Sequence, residues 1–328
     1  MAFLAYFSRR QFLTGAVASL SAPALVRAAE GVRVATLDWA LLETLLAIGA
    51  NVVAATELRQ FREVAVTPDV PATVADLGLR GTPNFEVLRF ARPELIFNSN
   101  FYAWADGRMR LIAPVESHAI YKPGGSPFAL AEQVTLALGE GLQLPAARQL
   151  TEALSARLDR HRSVFTAGDG RPVIPINLGD ARHFRVFGAD SMFGEVLKRV
   201  GLTNAWQGAT SYSAAAPIGI ETLASMPDAW IVMIPPHPAD ALAALSSSGF
   251  WNALPAVREK RVLMLGSINP YGALPAAGRF ADLLAEGLAH AWNGLPRQAR
   301  TTRGRACHRH HLRHALHCRL RAPHRDAP

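Results

Sequence analysis

A ligand recess built from cationic and aromatic side chains is the chemistry that this sequence indicates most directly. Arg80 lies between Gly78-Leu79 and Gly81-Thr82-Pro83, which places it in a loop ahead of a helix. Loops at the ends of strands and helices are where α/β folds bind their ligands. Hydrophobic packing explains any single aromatic residue, but their repeated placement after predicted strands or in polar loops favours a recess. These aromatic residues are Trp39, Tyr102, Trp104, Trp206, Tyr212 and Tyr271.

Catalytic patterns have little support in the sequence. The segment from Gly188 to Gly194 places Ser191 among glycines, but its spacing differs from the G-x-S-x-G motif of hydrolases. GxGxxG, phosphate-loop and HExxH motifs are absent. The histidines of the body occur singly, as histidines on surfaces and in cores usually do; they are His118, His161, His183, His237 and His290. We therefore predict a protein that is not an enzyme and carries no cofactor.

The two cysteines and a cluster of histidines lie in a basic C-terminal tail, residues 297–328. Because both Cys307 and Cys318 are in this tail, the body has no disulfide, cysteine nucleophile or thiolate metal site. The tail could capture zinc or nickel adventitiously, but it lacks a two-plus-two ligand pattern and an apolar framework. We predict an appended, disordered segment rather than a metal site.

The net charge of +8 arises from positive charge at the two ends of the chain. Residues 1–29 carry three arginines and no acid, and residues 297–328 carry nine arginines against Asp326. The body from 30 to 296 is left with a charge of −3. A mildly acidic body gives no reason to expect a nucleic-acid partner.

The first 29 residues have the form of an export signal. Arg9-Arg10 precede an apolar stretch from Phe12 to Val26, and small residues follow at Ala28-Ala29. The stretch has about fifteen residues, whereas a membrane-spanning helix needs ~20. We predict a twin-arginine signal that is cleaved to release a periplasmic protein without stable membrane insertion. A slightly basic N-terminal helix is the alternative.

Short apolar runs rich in β-branched residues alternate with helical patterns along the body. Alternation of this kind predicts an α/β protein with mostly parallel sheets and covering helices. The predicted strands are Val32–Leu37, Asn51–Ala55, Glu94–Asn98, Val173–Leu178, His183–Phe187, Ala229–Ile234 and Arg261–Leu265.

One long amphipathic helix lies near the middle of the body. Its pattern begins at Pro145, which suits a first helical turn, and ends before Gly168-Asp169-Gly170. We predict two α/β lobes, residues 30–144 and 168–296, joined by a single linking helix at 145–167.

The same motif occurs once in each lobe. A short helix has a glutamate in its first turn, and a Pro-Glu or Pro-Asp turn then leads into a buried strand. The glutamates are Glu86 and Glu221. A glutamate at this position complements the helix dipole by ~0.3–1 kcal/mol, which explains either residue alone. Their matching positions in the two lobes favour a shared function.

Several segments occur in the order found in a known family. They are Val34–Glu43, Asp76–Glu86, Val186–Gly188, Asn204–Gly208 and Tyr271–Ala273. Together they resemble the periplasmic ferric hydroxamate siderophore-binding proteins of ABC importers. The resemblance covers roughly residues 32–290, and the segments around Arg80 and Trp206 are its most specific parts.

The resemblance implies two lobes bridged by a stiff helix, with a shallow ligand cleft between them. Residues that match Arg80 and Tyr102 contact the iron-hydroxamate centre in the family, where guanidinium and hydroxyl groups donate to electron-rich oxygens. Aromatic residues cover the apolar backbone of the ligand, and the matching positions are Trp39, Trp206 and Tyr271, with Tyr212 nearby. Glu86 and Glu221 match the acids that dock onto arginines of the membrane permease.

Three positions depart from the aromatic residues of the family's cleft, namely Asn98, Ser213 and Asn269. We therefore expect a more polar or roomier cleft, and the identity of the siderophore stays open. The expected function is a monomeric periplasmic binding protein that delivers a ferric siderophore to an ABC permease with its ATPase. Alternatives are a catecholate or carboxylate siderophore, haem or cobalamin as cargo, or a periplasmic enzyme exported by the twin-arginine pathway.

Overall fold

The computed structural model describes residues 31–210 and 215–294. The expected export signal, the basic tail, Tyr212 and Ser213 lie outside the described residues. Within the described ranges, no helix combines the length and the apolar character needed to cross a membrane.

The N-terminal lobe is built on a parallel sheet of five strands, in the order β3-β2-β1-β4-β5. Its strands are β1 (Arg33–Thr36), β2 (Asn51–Ala55), β3 (Ala75–Asp76), β4 (Leu95–Asn98) and β5 (Val115–Ser117). Its helices are α1 (Trp39–Ala47), α2 (Leu58–Val64), α3 (Phe85–Phe90), α4 (Asp106–Met109) and α5 (Pro127–Gly141), with a 3₁₀ helix at Asn100–Ala105.

The C-terminal lobe has a mixed sheet of five strands, in the order β10-β9-β6-β7-β8. Its strands are β6 (Val173–Leu178), β7 (His183–Val186), β8 (Ala215–Gly219), β9 (Trp230–Met233) and β10 (Val262–Met264). Its helices are α7 (Met192–Arg199), α8 (Ala239–Ser247), α9 (Gly249–Ala253), α10 (Pro255–Arg258) and α11 (Leu274–Gly294), with a 3₁₀ helix at Ile220–Ser225.

Strand β7 is the exception to parallel pairing, because it runs antiparallel to both β6 and β8. The four residues between Leu178 and His183 are enough for a hairpin and far too few for a crossover helix. The prediction of an α/β fold with two mostly parallel sheets is confirmed.

Two helices of 21 residues run between the sheets. Helix α6 (Ala146–Thr166) buries Ala147, Leu154, Leu158 and Phe165, whose spacing puts them on one face. Helix α11, which the sequence patterns do not single out, packs along α6 and also touches α1 and α7. At ~1.5 Å per residue, each helix is about 30 Å long.

One hydrophobic core passes from the first lobe through these helices into the second. Phe193 of α7 stacks on Phe280 of α11 with ring centroids 4.4 Å apart, and both side chains are fully buried. Phe165 of α6 meets Trp292 of α11 edge to face at 6.2 Å. Close packing of this kind makes the helical layer a stiff frame, on which the loops at the strand ends are held.

Candidate functional site

A half-open cavity of about 470 Å³ lies between the loops of the two lobes. This volume falls within the range of sites that enclose small molecules, roughly 300–1,000 Å³. Residues of the N-terminal lobe on its wall include Trp39, Gln60, Arg80, Phe101 and Tyr102. The loop and strand residues that face them include Asn177, Arg185, Pro236, Asn269 and Tyr271.

Arg80 is fixed in the cavity wall by Glu57. Its Nε lies 2.7 Å from Glu57 Oε2, and its backbone N–H donates to Glu57 Oε1 at 3.0 Å. The guanidinium carbon stands 4.3 Å above the ring of Trp39, a cation–π distance. About a third of the Arg80 side chain, 36%, stays exposed. Glu57 pairs with the Nε side of the guanidinium, and a side-chain hydrogen bond joins Arg80 to Tyr102, so the two side chains present their polar groups side by side.

Trp39 packs its indole ring against the guanidinium of Arg80. It is the first residue of α1, only 7% of it is exposed, and its Nε1 donates to the Thr56 carbonyl at 3.0 Å. Its ring also meets Phe61 edge to face at 5.4 Å. The indole is thus held rigidly, and Arg80 lies over the ring that the sequence resemblance assigns to the ligand cleft.

Tyr102 lies beside Arg80 in the 3₁₀ helix after β4. Burial raises the pKa of its hydroxyl above the usual value, the negative charge of Asp38 raises it further, and Arg80 acts in the opposite direction. A raised pKa keeps the hydroxyl protonated at neutral pH. Tyr102 is therefore a hydrogen-bond donor beside the donors of Arg80.

Asn98 holds Tyr102 in place and does not line the cavity. It is fully buried at the end of β4. Its Nδ2 donates to the carbonyl of Tyr102 at 2.9 Å and to Asp106 Oδ1 at 2.6 Å. Asn98 was predicted to contact the ligand, but it lies outside the cavity and instead supports the position of Tyr102.

The loop that carries Tyr271 is tied to α1 by Glu43. Asn269 Nδ2 donates to Glu43 Oε1 at 2.7 Å, and the backbone N–H of Ala273 donates to Glu43 Oε2 at 3.0 Å. The other side-chain atom of Asn269, Oδ1, accepts from the backbone N–H of Tyr271 at 3.1 Å. Gly272 is pressed against the Glu43 carboxyl, where a Cβ would collide with both oxygens.

Complete burial raises the pKa of Glu43 to about 8, and the negative charge of Asp38 raises it further. The hydrogen bonds from Asn269 and Ala273 act in the opposite direction and offset only part of the burial. Tyr121 adds a second link from the N-terminal lobe, because its hydroxyl donates to the carbonyl of Gly272 at 2.6 Å. The loop that presents Tyr271 is thus held by two residues of the N-terminal lobe, Glu43 and Tyr121.

Trp206 packs in the C-terminal lobe and does not line the cavity. Its indole ring lies against Gly188 and Gly208, and a Cβ on Gly208 would come within about 3 Å of the ring. Its backbone N–H donates to Asn204 Oδ1 at 3.0 Å. The two glycines of the segments that carry the resemblance therefore make room for a packed indole.

The sequence patterns missed several residues of the cavity wall: Gln60, Phe101, Tyr121, Asn177 and Arg185. In β7, Phe184 and Val186 are buried while Arg185 between them is exposed. Alternation shows that Arg185 faces away from the core. It does not show that this face borders a cavity rather than bulk water.

Glu86 and Glu221 are exposed in the first turns of α3 and of the second 3₁₀ helix, as their motif predicts. Asn84 caps α3, accepting from the backbone N–H of Glu86 at 3.0 Å. The carboxylate of Glu221 folds over Gly219, where a Cβ would collide with it. Neither glutamate lines the cavity.

Metal-binding side chains do not cluster in the part of the chain that the structure describes. No group of three or more His, Cys, Asp or Glu residues there could hold a metal ion. The chemistry that the cavity offers includes hydrogen bonding from Arg80 and Tyr102 and aromatic contact from Phe101 and Tyr271.

Comparison with known proteins places this architecture in a family. Residues 34–268 match the family described as periplasmic binding protein. The iron(3+)-hydroxamate-binding protein FhuD of Escherichia coli K12 is 30% identical over 291 residues, which cover 87% of this chain and 97% of that protein.

Solved structures agree with that match. The siderophore-binding protein FhuD from Vibrio cholerae, bound to Fe³⁺-Desferal, has a TM-score of 0.73 and 25% identity over 79% of this chain and 98% of its own. FhuD2 from Staphylococcus aureus, with ferrioxamine B, has a TM-score of 0.64 at 17% identity, over 79% of this chain and 99% of its own, and shows a common fold. The chain therefore belongs to the periplasmic binding protein family.

Proposed function

We propose that this protein captures a ferric siderophore in the periplasm and delivers it to an ABC permease with its ATPase. Hydroxamate chelates are the proposed ligand class. The observation that carries the proposal is the convergence of Arg80 and Tyr102 on one cavity, with Tyr271 also on its wall. The similarity to FhuD of Escherichia coli supports the hydroxamate class.

The iron in this proposal is cargo, and the chelate supplies all its ligands. Hydroxamate oxygens bound to Fe(III) remain acceptors, and charged N–H donors form stronger hydrogen bonds with them than neutral donors do. Arg80 supplies charged N–H donors and Tyr102 a neutral O–H donor, while Phe101 and Tyr271 offer apolar surface to the organic part of the ligand. Asn269 acts through the Tyr271 loop, and we propose Tyr212 and Ser213 as further ligand contacts.

Several further features belong to the same proposal. The protein works as a monomer, without a cofactor or a catalytic step, and reaches the periplasm through the twin-arginine signal in residues 1–29. The proposed lobes are residues 30–144 and 168–296, with the linking helix at 145–167 between them.

Titration with ferric desferrioxamine B tests the function. Trp39 lies in the cavity wall, so a bound iron chelate should quench tryptophan fluorescence. We expect the titration to give a dissociation constant in the micromolar range or below. Iron-free desferrioxamine B and ferric citrate are the matched controls for the organic chain and for the metal. Saturable binding of haem or cobalamin without binding of any ferric siderophore would instead favour those cargoes.

The exposed acids Glu86 and Glu221 should contribute to docking on the permease. We expect the double variant Glu86→Ala/Glu221→Ala to lower siderophore transport about tenfold, because each exposed ion pair contributes ~0.2–1 kcal/mol. The measurement is uptake of ⁵⁵Fe-siderophore into cells that carry the cognate permease.

The matched control is Glu63→Ala/Glu152→Ala, which removes the same charge from exposed positions on α2 and α6. Ligand affinity should be unchanged in both double variants, since none of the four glutamates lines the cavity. Equal transport by the two variants would remove the docking role from Glu86 and Glu221.

A further inference from the structure

A second arginine, Arg185, lies on the cavity wall contributed by the C-terminal lobe. It is on the inner strand β7, between the buried side chains of Phe184 and Val186. It pairs with Asn177 across the antiparallel ladder, so the two side chains share the face that borders the cavity. Within the described residues, no carboxylate lies within ion-pair distance of its guanidinium.

Several other polar groups of the wall already have partners. Arg80 is paired with Glu57 at 2.7 Å, so its charge is largely balanced within the protein. Asn177 uses its Nδ2 for the carbonyls of Ile234 at 2.7 Å and Pro236 at 2.8 Å. Arg185 is therefore the cation of this wall whose charge no carboxylate of the described residues balances.

The carboxyl of Asp38 is also occupied. Its Oδ1 accepts from the N–H groups of Ala40 at 2.7 Å and Leu41 at 3.0 Å, at the start of α1. Its Oδ2 accepts from the hydroxyl of Ser99 at 2.7 Å. Since both oxygens are turned into the N-terminal lobe, Asp38 is not a counter-ion for Arg185.

An unpaired guanidinium on the wall of a ligand cavity favours an anionic group of the ligand, which a simple hydroxamate core does not provide. Three hydroxamate groups balance the charge of Fe(III), so the core of such a chelate is neutral and is matched by the donors of Arg80 and Tyr102. A carboxylate outside the core would meet Arg185, and arginine binds carboxylates through two parallel hydrogen bonds.

We propose that the cavity selects ferric chelates that carry a carboxylate outside the iron-binding core, and that Arg185 recognises this group. The inference rests on the proposed function and narrows it from ferric hydroxamates in general to the anionic members of the class. Arg185 is then a residue that determines specificity, whereas Arg80 serves the core that all members share.

Three chelates with one hydroxamate core test this selection. Ferrioxamine B ends in an ammonium group, its N-acetyl derivative ends in a neutral amide, and its N-succinyl derivative ends in a carboxylate. We expect the wild-type protein to bind the succinyl form about tenfold more tightly than the acetyl form, and the ammonium form least. A tenfold ratio corresponds to about 1.4 kcal/mol.

Arg185→Gln should lower the affinity for the succinyl form to that for the acetyl form, while the acetyl form itself is bound within about twofold of wild type. Arg185→Lys should keep part of the preference, because it keeps the charge and loses the planar fork. Arg182→Gln is the matched control, an exposed arginine of the same hairpin that does not line the cavity.

The possible outcomes separate this inference from the proposed function. Binding of all three chelates by wild type without charge preference, or an equal loss for all three in Arg185→Gln, would overturn the role of Arg185 and leave the proposed function standing. Failure of wild type to bind any of the three would overturn both. Since Arg185 is exposed, an unchanged thermal unfolding curve would show that the variant is folded.

Discussion

Replacing Arg80 with alanine should lower the affinity for ferric hydroxamates about 100-fold. The guanidinium is held by Glu57 and by the ring of Trp39, so it is presented on the cavity wall in one orientation. A hydrogen bond that involves a charged group contributes ~1.5–3 kcal/mol, and the loss of one or two such bonds gives about 3 kcal/mol. The variant also leaves the carboxylate of Glu57 unpaired at the edge of a site for electron-rich oxygens. Fluorescence titration with ferric desferrioxamine B measures the change.

Three further variants separate the contributions to this loss. Arg80→Lys keeps a charge without the fork and should lose less affinity than alanine. Tyr102→Phe removes one neutral donor and should cost about tenfold, since such a bond contributes about 1 kcal/mol. Arg148→Ala removes an exposed arginine of α6 that does not line the cavity, and it should bind as wild type does. Unchanged affinity in both Arg80→Ala and Tyr102→Phe would remove these residues from the site.

Most of the fold could be predicted because periodicity reports which face of an element is buried. The spacing of Leu154, Leu158 and Phe165 by itself indicates a long amphipathic helix, and α6 buries these residues. Pairing direction is less visible in the sequence. Only the four-residue connection between β6 and β7 shows that β7 is antiparallel.

The site was harder to predict, because residue type does not tell a cavity face from a packed face. Trp206 and Tyr271 both lie in loops, yet Tyr271 lines the cavity while Trp206 packs against Gly188 and Gly208. The missing signal was the glycines, which make room for the ring. Arg185 was missed for the opposite reason, since an exposed arginine on a strand has the same pattern whether it faces water or a ligand.

The link between Glu43 and Asn269 joins residues 226 positions apart in sequence, so no local pattern could reveal it. It also explains why a polar residue stands at 269. Asn269 donates to Glu43 and accepts from the backbone of Tyr271, so it transmits the position of α1 to the loop that carries a cavity aromatic. The polar side chain of Asn269, which suggested a more polar or roomier cleft, thus serves in part to hold this loop.

The stability of the protein should fall as the pH rises from about 6.5 to 8, because of Glu43. Its pKa is raised from 4.5 to about 8 by burial, so the folded state keeps a proton that the unfolded state releases. The contribution of this protonated carboxyl is therefore complete below the unfolded pKa and is lost as the pH approaches the folded pKa. At 1.36 kcal/mol per pKa unit, we expect a loss of about 1.5 kcal/mol over this interval. Asp38, whose pKa burial also raises, acts in the same direction.

Urea unfolding at closely spaced pH values measures this slope, and Glu43→Gln should remove it, because glutamine does not titrate. The variant should also be less stable at the lower pH, since its NH₂ group must face one of the donors from Asn269 and Ala273.

His237, whose pKa burial lowers, makes stability rise with pH below 6.5, so the interval above 6.5 isolates the carboxyls. Glu140→Gln changes an exposed glutamate of α5 and should keep the wild-type slope. If Glu43→Gln retained that slope as well, the carboxyl responsible would lie elsewhere. A weaker binding of ferric desferrioxamine B by Glu43→Gln, at a pH where it is fully folded, would tie the same carboxyl to the position of Tyr271.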